Sequence, residues 1–335
     1  MNLLITGGAG FIGSNLVRSV IDRPEVARLV NLDCLTYAGH LANLAGMEEH
    51  EKYVFAQVDL RDRVAVRRVM VEREITHVMH LAAESHVDRS IAGPKDFVET
   101  NVMGTFNLLE ACRGAWEEDW SGKKFLHVST DEVYGSLGPE GRFTEASPHA
   151  PNSPYAASKA AADMLVRAHH HTYGLPAVIT NGSNNYGPRQ FPEKLIPVAI
   201  LAAVARRAIP VYGDGLNVRE WMHVEDHCAA LWRVLEAGRM GEIYNIGSGD
   251  ELPNLRLVEM ICDLVDELRP ELGGNTRSLM TLVRDRPGHD RRYAIDAGKI
   301  RRELGWKPAW NFTEGLRATV RWYLENDKWL AEVGE

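Results

Sequence analysis

The sequence predicts an α/β protein: a doubly wound parallel sheet followed by a smaller mixed α/β C-terminal domain. Three observations predict it. Short apolar runs alternate with segments of helical period through the first half of the chain. A glycine-rich turn joins the first apolar run to the first helical segment. Beyond residue 185, prolines and glycines cut the chain into shorter elements.

Leu3–Thr6, Leu29–Asp33, Tyr53–Gln57, His77–His80 and Lys124–Ser129 read as buried strands. A parallel sheet covered on both faces needs such near-continuous apolar runs, because neither side meets water. Segments of helical period lie between them, notably Asp96–Cys112 with Phe97, Val98, Val102 and Leu108. Ala156–Tyr173 reads as another helix, stopped near Gly174 and Pro176, and Ala177–Thr180 as the next strand. After Asn185 come Pro188, Pro192, Pro197, Pro210, Gly213 and Gly215, so residues 1–185 are expected to form one domain and 186–335 another. Glu242–Ile246 looks like one more sheet strand. The border is therefore expected to interleave, with 219–247 returning to the sheet.

Composition narrows the function. At 335 residues the chain accommodates two joined domains. A formal charge of −8 speaks against a broad nucleic-acid surface. The longest apolar run, Leu195–Ala205, contains Pro197 and is too short to span a bilayer. The N-terminus has neither the basic start nor the apolar core of a signal peptide, so a cytoplasmic protein is expected. Cys34, Cys112, Cys228 and Cys262 form no C-x-x-C pair and read as reduced thiols.

Thr6-Gly7-Gly8-Ala9-Gly10-Phe11-Ile12-Gly13 follows the first strand and opens the first helix. Gly7, Gly10 and Gly13 permit a tight turn, close approach to a pyrophosphate and close helix–strand packing, the Rossmann-type arrangement. The helix N-terminus then offers free N–H groups to phosphate. Asp33 lies twenty residues past Gly13, at the end of the second strand. A carboxylate there accepts from ribose hydroxyls and repels a 2′-phosphate, which favours NAD over NADP.

Tyr155 and Lys159 stand four residues apart on one helix face. Tyr is a poor base at neutral pH, and a neighbouring ammonium favours its phenolate. Asp131 and Glu132, beside Thr130 and Tyr134, follow the strand that ends at Ser129. Ligands of open α/β sheets bind at such strand ends. Against this stands the plainer possibility of an N-cap and a first-turn acid. A dehydrogenase needs only the Tyr–Lys pair, whereas two added carboxylates suit an enzyme that also removes water. No metal site is expected. Consecutive helical residues His169, His170 and His171 point about 100° apart, and Glu225 between His223 and His227 is misplaced for a zinc protease. Trp221, Trp232, Trp306 and Trp322 read as packing residues.

With these motifs the chain resembles the extended short-chain dehydrogenase/reductases, and within them the dTDP-glucose 4,6-dehydratases. The likeness runs over nearly the whole chain. It includes Leu35-Thr36-Tyr37-Ala38-Gly39, Ala82-Ala83-Glu84-Ser85-His86-Val87-Asp88-Arg89-Ser90, Ser183-Asn184-Asn185-Tyr186-Gly187-Pro188, Pro192-Glu193-Lys194-Leu195-Ile196-Pro197 and Asp285-Arg286-Pro287-Gly288-His289-Asp290-Arg291-Arg292-Tyr293. The resemblance implies a lyase reaction. Tyr155 takes the 4-hydroxyl proton of dTDP-glucose, with Lys159 and Thr130 assisting, Glu132 takes the C5 proton, and Asp131 protonates the departing 6-hydroxyl. It further implies that Phe11, Ile12, Asp33, Cys34, Leu35, Thr36, Asp59, Leu60, Leu81, Ala82, Ala83, Glu84, Ser85, Thr100, Tyr155, Lys159 and Asn185 line NAD. Ser85, Thr130, Asn184, Lys194, Leu195, Pro210, Tyr212, Arg219, Asn254, Arg286 and His289 would contact the sugar nucleotide. A homodimer through helices near 95–113 and 154–173 is expected as well. Cys34, Asn181-Gly182 and Arg189-Gln190 depart from common family residues and bear on fine cofactor and base contacts. The choice of dTDP against UDP, and the downstream pathway, stay open at this point. A 4-epimerase needs no acid–base pair after Thr130, and a silent NAD-binding scaffold needs none of these groups.

Overall fold

A computed structural model describes residues 1–116 and 119–334. In chain order its strands are β1 (Asn2–Thr6), β2 (Arg28–Asp33), β3 (Tyr53–Gln57), β4 (His77–His80), β5 (Lys124–Thr130) and β6 (Ala177–Gly182). Then follow β7 (Asn184–Tyr186), β8 (Ile209–Tyr212), β9 (Val218–His223), β10 (Ile243–Ile246), β11 (Glu251–Pro253) and β12 (Met280–Val283). Seven strands form one sheet in the order β10-β6-β5-β4-β1-β2-β3, and every neighbouring pair is parallel. The chain winds outward from β1 through β2 to β3, then returns to β4 on the other side of β1. That reversal opens a crevice at the carboxyl ends of β1 and β4.

Side-chain alternation distributes the strands between two cores. Leu3 and Ile5 of β1 join Leu16, Val17, Leu231 and Leu235 on one face of the sheet. Leu4 between them joins Leu108, Leu109 and Phe125 on the other. Both faces are covered, as the apolar runs require.

The long helix Pro154–Tyr173 starts at Ser153, whose Oγ accepts from Ala156 N at 3.1 Å, and ends at Gly174 with φ +74°. The segment expected as one helix over Asp96–Cys112 has a different interior. Pro94–Phe97 and Thr105–Trp116 are α-helical, but Val98–Gly104 between them is a π-helix. Its widened turn coincides with Asn101, which is buried and bonds the Glu84 backbone at both N and O (2.8 and 2.9 Å) and Ser158 Oγ (2.8 Å). Such bulges gather at functional sites.

The later residues build a third core from Ile196, Ile200, Leu257, Ile261, Leu316 and Tyr323, beside a three-stranded sheet β11-β9-β7 and the pair β12-β8. The expected return of 219–247 to the large sheet is narrower than the sequence suggested. Only β10 joins it, parallel to β6, and Glu242 lies just outside that strand. β9 instead pairs with β7 and β11. Among the described residues no helix is long and apolar enough to cross a membrane.

Candidate active site

A cavity of about 810 Å³ lies where the ends of the large sheet meet the later residues. Its floor is the glycine loop. Gly7 has φ +73°, and a Cβ there would stand 2.7 Å from the backbone N and Cα of Ala82 at the end of β4. A Cβ on Gly13 would overlap the Gly7 carbonyl oxygen and stand 2.7 Å from Gly8 Cα. Loop, helix and strand therefore touch backbone to backbone. The helix Phe11–Val20 starts at Gly10 without a side-chain cap, which leaves its first N–H groups to an anion. Asp33 closes this end. Its two oxygens accept from Ala9 N (3.0 Å) and Leu35 N (2.8 Å), which fixes the carboxylate while leaving each oxygen further lone pairs. Burial pushes its pKa up, and these backbone bonds oppose the shift. An uncapped helix start beside a fixed carboxylate fits a dinucleotide with free ribose hydroxyls.

Cys34, Thr36, Asp59, Leu60, Leu81, Ala82, Ala83, Glu84, Ser85, Thr100 and Asn185 continue the wall, together with Gly10, Phe11 and Ile12. Leu35 does not line it, contrary to expectation. Its φ of +57° places it in the left-handed region, and its side chain packs against the core of the sheet. Only its N–H serves the site, through Asp33. Arg61 on the same wall escaped the sequence reading. Its guanidinium holds Asp59 at 2.6 Å, and the signal for it was Asp59-Leu60-Arg61 after a predicted strand.

At the end of β5 the cap is Thr130, whose Oγ1 accepts from Glu132 N at 3.3 Å. Capping therefore does not employ Asp131 or Glu132. Thr130, Glu132, Tyr155 and Lys159 line the cavity. Asp131 does not. It is buried behind the wall, where its Oδ1 accepts from Thr130 Oγ1 at 3.3 Å and its Oδ2 has no partner. Burial, then the charges of Glu132 and Glu220, push its carboxyl well above the usual range. Burial also raises Glu132, but Arg286, Arg219 and Lys194 pull the other way. Two adjacent carboxyls thus sit in different electrostatic surroundings, the arrangement that splits acid from base. Desolvation and then Glu132 push the Tyr155 phenol up, with Thr130 opposing. Lys159 donates to Val128 O at 2.8 Å; burial lowers its pKa to about 8 and Asp163 opposes.

Asn184, Lys194, Leu195, Pro210, Tyr212, Arg219, Asn254, Arg286 and His289 form a second wall, which Ser85 meets. Lys194 donates to Ser85 O at 2.9 Å, tying the two walls together. Arg219 is buried over the Tyr293 ring, 4.3 Å from its centroid, and Arg286 stands 3.7 Å from Asp88. Two guanidinium groups on one wall suit a diphosphate. Asp88, Glu193, His227 and Tyr293 also line the cavity and went unassigned in the sequence. Asp88, Glu193 and Tyr293 sit inside motifs quoted above, the only signal that could have found them. Trp221, read as a packing residue, borders the cavity too. Of the departures, Asn181 is buried and donates to Tyr134 OH at 2.6 Å, and Gln190 reaches the wall while Arg189 covers Trp322 at 5.7 Å. His169 engages Leu165 O (2.9 Å) and Glu110 (3.3 Å), and His170 engages Leu175 O (2.8 Å).

The family model for GDP-mannose 4,6 dehydratase matches residues 4–319. A dTDP-glucose 4,6-dehydratase of Xanthomonas campestris is 54% identical over 335 residues, covering 98% of this chain and 95% of that protein. Among solved structures, a dTDP-glucose 4,6-dehydratase of Streptomyces venezuelae with NAD bound superimposes with a TM-score of 0.91 at 49% identity, covering 98% of each chain. A UDP-glucose 4-epimerase of Thermus thermophilus, also with NAD, reaches a TM-score of 0.86 at 31% identity over 97% of this chain and all of its own. Fold alone therefore does not choose between elimination and epimerisation.

Proposed function

Because the chain belongs to the GDP-mannose 4,6-dehydratase family, we propose that its cavity carries out the dTDP-glucose 4,6-dehydratase reaction. It is an NAD-dependent lyase that converts dTDP-glucose to its 4-keto-6-deoxy product. One observation separates this from epimerisation. Glu132 lines the cavity among three cations, and Asp131, buried just behind Thr130, sits in surroundings that push its carboxyl well above the usual range.

NAD held by the glycine loop and Asp33 would supply a hydride acceptor for C4 and, once reduced, a hydride donor for C6. The residues of the chain move the protons. Tyr155 takes the proton of the 4-hydroxyl, and Lys159 supplies positive charge for the phenolate. Thr130 orients the 4-oxygen. The 4-keto group acidifies C5, and Glu132 takes that proton. Asp131, whose buried surroundings favour its protonated form, is the proton source for the departing 6-oxygen. Arg219 and Arg286 hold the diphosphate. The division of labour follows the chain, with residues 1–185 carrying NAD and residues 186–335 most of the sugar-nucleotide wall.

We further propose a homodimer. Val98, Met103, Met164 and Tyr173 are 46–51% exposed on the helical segments 94–116 and 154–173, an apolar surface suited to a second copy. A cytoplasmic location agrees with the thiols, none of which is bonded to another. The functional test is turnover on dTDP-, UDP- and CDP-glucose side by side, read by product mass. Loss of one water from dTDP-glucose is expected. A product of unchanged mass would restore the epimerase reading.

A further inference from the structure

Behind Tyr155 and Lys159 lies a buried polar layer that the steps above leave unused. Asp163 stands one helical turn after Lys159 and is fully buried. Its Oδ2 accepts from Ser129 Oγ at 2.9 Å, and its Oδ1 lies 3.2 Å from His127 Nε2. Lys159, also buried, donates to Val128 O. Two opposite charges of one helix are thus anchored on consecutive residues of β5, the strand that delivers Thr130, Asp131 and Glu132. Spacing of i, i+4 puts their Cβ atoms about 5–6 Å apart. An ammonium in a dry interior is strongly disfavoured without a counter-charge, and Asp163 is the carboxylate whose charge bears on Lys159.

Apart from Lys159, the charge that bears on Asp163 is that of His149. Tyr155 on its own helix, Tyr134 on the turn after β5 and Ser129 are neutral. His127 on β5, and His80 on β4 with its ring 5.2 Å away, are driven neutral by burial. His149 faces Asp163 from the loop before the helix.

We propose that Asp163 is a positioning residue for the first oxidation, holding Lys159 as an ammonium so that Tyr155 can stand as a phenolate ready to take the 4-hydroxyl proton. The inference rests on the reaction assigned above. Its pH signature follows from the same burial. Desolvation pushes Asp163 up to about 6 and Lys159 down to about 8. The charged pair is therefore complete between those values. As pH falls through the lower one the carboxylate is protonated. As pH rises through the upper one the ammonium is lost. Removing the carboxylate leaves the desolvation of Lys159 unopposed, so its proton departs at a lower pH, by about 1–3 units for an opposite charge at this range.

The test uses holoenzyme with dTDP-glucose across the neutral range, reading kcat, KM and the NADH absorbance of a single turnover. Asp163→Asn should move the alkaline limb of the oxidation down by about one unit or more, which is about tenfold or more in kcat near that limb. KM should stay put. Asp163→Glu, which keeps the charge, should restore much of the rate. Ser129→Ala removes a donor to Asp163 and should move the acid limb upward; this arm stands even where Asp163→Asn does not fold. Parallel pH profiles for wild type and both Asp163→Asn and Ser129→Ala, whatever the absolute rates, would overturn the inference. So would a loss that Asp163→Glu fails to restore. Wild-type protein that never reduces its cofactor with dTDP-glucose would sink the functional reading and this inference together. Wild-type turnover with unmoved profiles would sink this inference alone.

Discussion

Replacing Gly7 by Ala should weaken NAD binding by a calculable amount. The native φ of +73° is strained for a residue with a Cβ, at about 1–2 kcal/mol. The new methyl would stand 2.7 Å from Ala82 N and Cα, against an optimum of about 3.5–4.0 Å. These neighbours are backbone at the end of β4 and cannot swing aside, so overpacking adds about 1–3 kcal/mol. The sum is about 2–5 kcal/mol. It is expressed in one of two ways. If the loop stays in place, the free protein melts earlier. If the loop relaxes, the strain returns when NAD demands the native turn, and affinity falls roughly 30-fold to 4,000-fold at about 1.4 kcal/mol per tenfold. Calorimetric titration of NAD and thermal melting of the same preparation therefore need to be read together. Gly174→Ala is the control. Its φ is +74° but nothing lies within 4 Å of the added Cβ, so stability should drop by the backbone part alone while NAD affinity holds. A Gly7→Ala protein with unchanged melting and unchanged affinity would refute the backbone-contact account of the loop.

The remaining expectations concern chemistry and assembly. Glu132→Gln, Asp131→Asn and Tyr155→Phe should each lower turnover by about 10²–10⁴-fold, but at different steps. Tyr155→Phe should show little NADH on mixing with substrate, whereas Glu132→Gln should accumulate it and lose solvent deuterium exchange at C5; near-wild-type turnover in both carboxylate variants would mean the elimination is misassigned. Cofactor released from denatured protein should be NAD by mass, and a preparation carrying mainly NADP would contradict the role given to Asp33. Light scattering at micromolar concentration should report a dimer, and replacing Val98, Met103 and Met164 by Lys should give monomer; a chain monomeric before substitution would count against the helical interface.

The large sheet was legible in the sequence because its signal is local. A strand buried on both faces is mostly apolar along its length, so β1, β2, β4, β5 and β6 announced themselves within a few residues of where they lie, and the half-buried edge strand β3 did so through Tyr53, Val54, Phe55 and Ala56. The glycine loop was legible for a related reason, since contact of backbone with backbone leaves no room for any side chain, and that exclusion is written directly as glycine. The short strands β7, β8, β11 and β12 were not legible. At three or four residues each they are too brief for periodicity, and only their pairing makes them strands. The π-helix at Val98–Gly104 was hidden as well, because its apolar spacing passes for ordinary helix while Asn101 finds partners at Glu84 and Ser158, far along the chain. The sequence placed Thr130, Asp131 and Glu132 side by side but could not say that Thr130 would cap the turn and Asp131 sit behind the wall. Nor could it join Asp163 to Ser129 and Lys159, or bring Arg219 and Arg286 into the cavity that Gly7 lines. Sequence by itself determined which residues must be buried, turned or kept small, because those demands are local. Tertiary structure decided which charges face each other across a dry interior, because that depends on contacts between residues distant in the chain.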